Sequence, residues 1–271
     1  MGSATKYTSK KLGDDGHVDW SETEDRVWQD LVTRQLSCLD GRACNEYLYG
    51  LTLLNLPKEH VPQLAEVNRV LGSRTGWECA AVPALINFDR FFSLLANKQF
   101  PVATFIRRRE EFDYLQEPDF FHEIFGHCAM LTNPAFAEFT HAYGKLGLAA
   151  TPEDRVYLAR LYWFTVEFGL LRQQGEIRIY GGGILSSPGE THYALTGGQQ
   201  ARMSAQEHPR YAKFDPVEIM RTPYRIDIMQ PIYFILDDIQ QLYELAQQDI
   251  MKYVNEARKK GMHSPIFKYA V

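Results

Sequence analysis

Along much of the chain apolar residues recur at steps of three and four, which predicts helices. Val27, Leu31, Val32 and Leu36 mark one from Glu22 to Asp40. Tyr47 to Leu54 predicts a second, stopped near Pro57. Leu64, Val67, Val70 and Leu71 predict a third over 62–72, ended by Gly72. Residues 77–105 mix shorter apolar runs with Pro83 and Pro101, and the β-rich run Val102 to Ile106 predicts a short strand. Pro118-Asp119 then opens a helix, with Asp119 as N-cap, that runs to about Leu131 and breaks at Asn133-Pro134. Another helix follows to about Leu148.

Pro152 starts a long helix that Gly175 is expected to end, with Val156, Ala159, Trp163, Val166 and Leu170 as its stripe. A strand over Ile177 to Tyr180 and a loop at Gly181-Gly182-Gly183 come next. The last helix is expected to be continuous: Ile232, Ile235, Leu236, Ile239, Leu242, Ala246, Ile250, Tyr253 and Ala257 form one apolar face, closed by Gly261. The pattern predicts a mainly α fold with a few short strands. Residues 1–20 read as a flexible leader and 21–271 as a single domain. The glycine triplet lacks both G-x-G-x-x-G and a P-loop lysine, so it suits a tight turn beside a site better than a phosphate cradle.

Composition narrows the function classes. The net charge of −5 gives no basic surplus for nucleic acid, and Arg107-Arg108-Arg109 is followed at once by Glu110-Glu111. No apolar run approaches membrane-spanning length, and the N-terminus MGSATKYTSKK has no apolar signal region. The four cysteines, Cys38, Cys44, Cys79 and Cys128, form no Cys-x-x-Cys pair and read as free thiols, so a cytoplasmic location is expected.

The chemistry concentrates in two helices. His122-Glu123-Ile124-Phe125-Gly126-His127 places two histidines five apart. The zincin spacing is four, which stacks two rings on one face. A spacing of five turns them roughly 140° apart on an ideal α-helix. They share a metal only if the helix is distorted or the rings reach around it, and Gly126 permits a distortion. On spacing alone, a metal site and two ordinary histidines both stand. Glu167 lies four residues after Trp163 and three before Leu170, along an apolar face. A carboxylate there needs a cation, or else solvent or an arginine such as Arg160 or Arg172. Two imidazoles and one carboxylate make the facial triad of non-haem iron(II) oxygenases, which leaves positions open for chemistry.

Pro118-Asp119-x-x-His122-Glu123-x-x-Gly126-His127, followed by Trp163-Phe164-Thr165-Val166-Glu167-Phe168-Gly169, resembles the pterin-dependent aromatic amino acid hydroxylases. Tyr180-Gly181-x-Gly183-x-Leu185-Ser186-Ser187-x-Gly189-Glu190 and Gln230-Pro231-x-Tyr233 extend the likeness from about Thr75 to Phe234. The resemblance implies a single catalytic domain of that type, with His122, His127 and Glu167 holding iron(II). It implies that Arg107 pairs with the substrate carboxylate, that Asp119 lies near that pair, and that Trp163, Gly183 and Ser186 line the amino acid site. Ile86, Phe91, Glu123 and Tyr162 fall where the family contacts its pterin, with Phe91 stacked on the ring. Two places depart from the mammalian pattern, and bacterial members vary at both: Leu115 stands where mammalian relatives usually carry threonine, and Ala84-Leu85-Ile86-Asn87-Phe88 differs from their pterin loop.

The implied reaction converts L-phenylalanine to L-tyrosine with O2 and tetrahydrobiopterin, or a related tetrahydropterin, at non-haem Fe(II). The chain is expected to act as a stand-alone monomer or homodimer. Ile226 replaces an aspartate favoured by tyrosine hydroxylases, which fits an apolar ring. A tryptophan hydroxylase of the same family is the nearest alternative. A zinc hydrolase using Glu123 as base, and a non-catalytic metal-binding protein, are the alternatives from other classes.

Overall fold

The computed structural model describes residues 6–113, 115, 117–196 and 208–267. Its first helices follow the apolar period. Helix α1 spans Glu22–Leu39, started by a capping box in which Ser21 and Glu24 satisfy each other's backbone. It buries Val27, Trp28, Leu31 and Val32. Helix α2 spans Asn45–Leu54. Helix α3 spans Leu64–Thr75, three residues beyond the Gly72 stop that its sequence suggests. Gly76 ends it instead, in the left-handed conformation at φ 75°, a geometry that favours glycine.

The Pro-flanked stretch that followed holds more order than its pattern shows. Strand β1 (Glu78–Val82) and strand β2 (Gln99–Ala103) pair in parallel, and helix α4 (Phe88–Ala96) crosses between them. The strand expected over Val102–Ile106 is therefore displaced toward the N-terminus. The segment before α1 packs on this unit: Tyr7 stacks on Phe105 at 4.6 Å, and the Lys10 amide donates to the Thr104 carbonyl at 2.8 Å.

Asp119 is the N-cap its position promises, accepting from the His122 amide at 3.0 Å. The helix beyond it leaves α geometry after Phe121. His122–Cys128 is a π-helical segment, and only Ala129–Leu131 (α5) returns to α geometry. Helix α6 (Pro134–Ala149) is capped by Asn133, and helix α7 (Pro152–Tyr162) by Thr151.

Two long helices expected from the sequence are divided in the structure. The first ends at Glu167: α7 passes into a second π segment, Trp163–Glu167, and Leu170–Gln173 is strand β3. Leu170 continues the helical spacing by coincidence, while Val156 at its start is exposed. Gly175 turns the chain into strand β4 (Glu176–Ile179). The short helices α8 (Gly182–Leu185) and α9 (Pro188–Tyr193) follow. Past the undescribed stretch come strand β5 (Arg210–Lys213) and helix α10 (Pro216–Arg221).

The final helix is likewise three elements: strand β6 (Ile232–Leu236), helix α11 (Gln240–Ala246) and helix α12 (Ile250–Lys260). Ile232 to Leu236 is β-branched and aromatic with Tyr233, Phe234, Ile235 and Leu236 buried. Such a strand carries apolar side chains on both faces and satisfies helical spacing without being helical. In the sheet β4-β3-β6-β5, β6 lies between β3 and β5, parallel to both, and β3 pairs antiparallel with β4. One continuous apolar cluster joins α1, α2, α3, both π segments and the sheet. It sets the two π segments rigidly around the site.

Candidate metal centre and its surroundings

A π-helix closes its hydrogen bonds over five residues rather than four, so side chains five apart come onto one face. That resolves the spacing of His122 and His127: their Nε2 atoms stand 3.1 Å apart. The extra turn width frees carbonyls from the regular ladder, and the Tyr47 phenol donates to the Phe125 carbonyl at 2.7 Å. Gly126 contributes by close approach, since a Cβ there would lie 2.8 Å from the Gly182 carbonyl oxygen. The second π segment makes its own five-residue bond, Phe168 amide to Trp163 carbonyl at 2.8 Å, and delivers Glu167.

The Glu167 carboxylate reaches both rings, with Oε1 3.3 Å from His127 Nε2 and Oε2 3.7 Å from His122 Nε2. Among the described residues it pairs with no arginine: Arg160 donates instead to the Val156 carbonyl at 3.1 Å. Burial pushes the Glu167 carboxyl up, but the electrostatics and hydrogen bond of His127, and to a lesser degree His122, outweigh it and hold the group below its usual range. Burial pushes His122 down to about 4, so this ring is neutral at pH 7.

The surroundings fix the tautomer of His122. Ser186 Oγ donates its one proton to the Gly182 carbonyl at 2.8 Å, so it accepts from His122 Nδ1–H, also at 2.8 Å. The lone pair is therefore on Nε2, turned toward His127 and Glu167. A partner on the far nitrogen orients a metal-ligating histidine in this way. His127 is almost wholly buried and tilted on Phe100 at 5.2 Å, and its Nδ1 has no partner among the described residues. Two imidazole nitrogens and a carboxylate crowded at these distances fit one cation at their centre, and the N2O donor set with an open side suits iron(II). Glu123 is also within reach, since one ligand atom each of His122, Glu123 and His127 lies within 4.8 Å. Glu167 is the better third ligand, because it approaches both rings more closely and is held ionised, whereas burial and then the Glu167 charge push the Glu123 carboxyl well above its usual range.

Gly182 and Gly183 start α8 between the two π segments. A Cβ on Gly182 would stand 2.7 Å from His127 Nε2 and closer still to Cε1; one on Gly183 would stand 3.1 Å from Glu167 Oε2. The glycine loop is thus a turn pressed against the site. Ser186 sits behind His122 and is held there by that ring.

Arg107 is buried and forked on Asp119: Nε donates to Oδ2 and Nη2 to Oδ1, each at 2.9 Å. Nη1 has no hydrogen bond among the described residues. Asp119 also accepts from the Arg107 amide at 2.9 Å, so one carboxylate ties the arginine to the start of the histidine helix. Burial pushes Asp119 up, but Arg107 and these hydrogen bonds hold it below the usual carboxylate range. Arg108 is exposed and Arg109 pairs with Asp30, so the three adjacent arginines do different work.

Phe91 meets Tyr162 edge-on at 5.4 Å, and Glu123 has no hydrogen-bond partner for its carboxyl among the described residues. Ile86 is half-buried on the loop into α4 and joins neither apolar cluster. Trp163 is half-buried between Tyr224 (4.4 Å, 18° between planes) and Phe168 (4.5 Å, 36°). Ile226 is 56% exposed, so it is not a wall of a buried ring pocket. The glycine triplet is the turn beside the site that its sequence suggests. Sequence reasoning missed Phe100, Tyr224 and Gln230 as parts of this neighbourhood; the quoted motifs contain Gln230, but nothing local marks what it touches.

A family model described as biopterin-dependent aromatic amino acid hydroxylase matches residues 3–263. The chain is 60% identical over 264 residues to a phenylalanine-4-hydroxylase of Vibrio cholerae, covering 97% of this chain and 88% of that one. Among solved structures it resembles the apo cold-active phenylalanine hydroxylase of Colwellia psychrerythraea 34H, at 54% identity and TM-score 0.90, covering 96% of this chain and 97% of that one. It also resembles the Chromobacterium violaceum phenylalanine hydroxylase with bound iron(III) and 7,8-dihydrobiopterin, at 40% identity and TM-score 0.83, covering 93% and 87%.

Proposed function

The chain belongs to the biopterin-dependent aromatic amino acid hydroxylases, and from that premise we propose that it hydroxylates L-phenylalanine to L-tyrosine with O2, tetrahydrobiopterin and iron(II). The observation that carries the reading is the convergence of His122, His127 and Glu167 from two facing π segments. These three residues hold the iron. When bound there, iron(II) together with a reduced pterin would supply the activation of O2, from which the ring takes its oxygen atom.

The protein's own residues bind, orient and exclude water. Arg107 offers Nη1 to the substrate carboxylate, while Asp119 keeps the guanidinium plane fixed before a ligand arrives. Trp163 and Gly183 bound the amino acid's ring, and Ser186 acts behind the wall by orienting His122. Phe91, Tyr162 and Ile86 form the apolar side of the pterin site, and the unpartnered Glu123 carboxyl gives it a polar handle. Residues 21–271 work as one catalytic domain. We propose a monomer or a homodimer as the working form. Among the described residues no helix is long and apolar enough to cross a membrane. Four free cysteines suit a reducing cytoplasm.

Iron-loaded protein given tetrahydrobiopterin and air should form tyrosine from phenylalanine faster than it hydroxylates tryptophan or tyrosine. Preferential hydroxylation of tryptophan would move the assignment to the sibling activity.

A further inference from the structure

Gln230 takes no part in the iron site, yet every polar atom of its side chain is committed. Its Oε1 accepts from the indole Nε1–H of Trp163 at 2.9 Å. Its Nε2 donates to the carbonyls of Arg225 and Ile228, both at 2.9 Å. Its backbone amide donates to Glu190 Oε1 at 3.0 Å, and that buried carboxyl also accepts from the Tyr233 phenol. The amide is 1% exposed and cannot swing away without orphaning several groups.

We propose that Gln230 is a positioning residue that holds the Trp163 indole as an apolar wall for the substrate ring and so sets the preference for phenylalanine over tryptophan. The inference rests on the functional reading above. Tyr224 and Phe168 stack on the indole and fix its plane, but stacking leaves rotation within that plane free. A hydrogen bond at the ring edge removes that freedom. It also turns the one polar edge of Trp163 toward Gln230. Phe168 carries the wall on toward the metal: its Cζ would meet a Cβ on Gly183 at 3.0 Å, and the same Cβ would meet Glu167 Oε2 at 3.1 Å. Phe168 and Glu167 thus both border Gly183, which places the indole's stacking partner beside the metal centre. A benzyl side chain loses nothing against such a hydrocarbon wall. An indole substrate would find no acceptor there for its N–H and would need the wall to yield.

The test compares iron-loaded wild type, Gln230→Met, Trp163→Phe and the double variant. The readout is kcat/KM for L-phenylalanine divided by that for L-tryptophan, with tyrosine formed per tetrahydrobiopterin oxidised as a second measure. Gln230→Met should lower the ratio about five- to tenfold, tenfold being 1.4 kcal/mol, with iron content kept. Trp163→Phe should lower it too, and adding Gln230→Met to it should change nothing more, as expected of coupled residues. Gln230→Asn keeps the amide but shortens its reach, and gives the same direction should Gln230→Met not fold. An unchanged ratio in Gln230→Met overturns the proposal, as does an equal loss in the Trp163→Phe background. Exchange of the Trp163 indole proton, followed by NMR on 15N-tryptophan protein, is independent of turnover. It should accelerate in Gln230→Met, and unaltered exchange also overturns the proposal. A wild-type protein that makes no tyrosine refutes the functional reading instead and leaves the exchange result standing.

Discussion

Ser186→Ala removes one hydroxyl that the structure ties to the His122 ring, a proposed metal ligand. Two bonds go with it: His122 Nδ1 to Oγ at 2.8 Å, and Oγ to the Gly182 carbonyl at 2.8 Å. The Gly182 carbonyl keeps a second donor, the Ser186 amide at 3.1 Å, so most of the damage falls on His122. Its Nδ1–H is left without its partner, a cost of about 1–3 kcal/mol for a buried donor. Loss of such a partner weakens metal binding roughly 10- to 100-fold, or about 1.4–2.8 kcal/mol. Anaerobic titration of the apoprotein with Fe(II) against a competing chelator measures the change. Ser187→Ala is the control, because that hydroxyl caps α9 by accepting from the Glu190 amide at 3.3 Å and does not touch the histidine. It should cost about 1 kcal/mol of stability and leave the iron Kd unchanged. At saturating iron, Ser186→Ala should keep its KM for phenylalanine within about threefold, less than 0.7 kcal/mol. An unaltered iron Kd in Ser186→Ala, or an equal shift in Ser187→Ala, refutes the orienting role. A raised KM with normal iron binding would return Ser186 to the substrate wall.

Other outcomes follow from the same geometry. Gly182→Ala should empty the site of iron, read by elemental analysis, while far-ultraviolet circular dichroism stays near wild type, because the added methyl collides with the His127 ring. Arg107→Ala leaves the Asp119 charge buried and should lose about 3–5 kcal/mol in urea unfolding. Arg108→Ala, at an exposed position, should lose less than about 0.5 kcal/mol. Asp119 is held below its ordinary range by Arg107, so its contribution is present above the unfolded pKa of about 3.9 and is lost as pH falls through the lower folded value. The stability gap between wild type and Asp119→Asn should therefore be widest at pH 7 and shrink toward pH 3, and a gap independent of pH contradicts the charge-pair account.

Local pattern revealed α1, α2 and the Asp119 cap because each depends on neighbours three or four residues away. It misread Ile232–Leu236 because pairing with β3 and β5 is non-local, and a strand buried on both faces satisfies helical spacing. It carried the Pro152 helix through Leu170 for the same reason, and it missed α4 between two prolines. The convergence of His122 and His127 is legible by motif but not by helical geometry, since a spacing of five argues against one face until the π segment is seen. Ser186 was placed on the substrate wall, and only the side-chain geometry puts it behind His122. Gln230 meets Trp163 across 67 residues, which no local window reports.

The central claim is that iron held by His122, His127 and Glu167 drives phenylalanine hydroxylation. Its most direct test is tyrosine formation by apoprotein titrated with Fe(II), at saturating tetrahydrobiopterin and phenylalanine, beside the same titration of His127→Ala. Wild-type activity should rise from near zero and saturate at roughly one iron per chain, as a single triad requires. His127→Ala should bind little iron and form almost no tyrosine while keeping its helical spectrum. Full iron binding and wild-type turnover in His127→Ala would contradict the account.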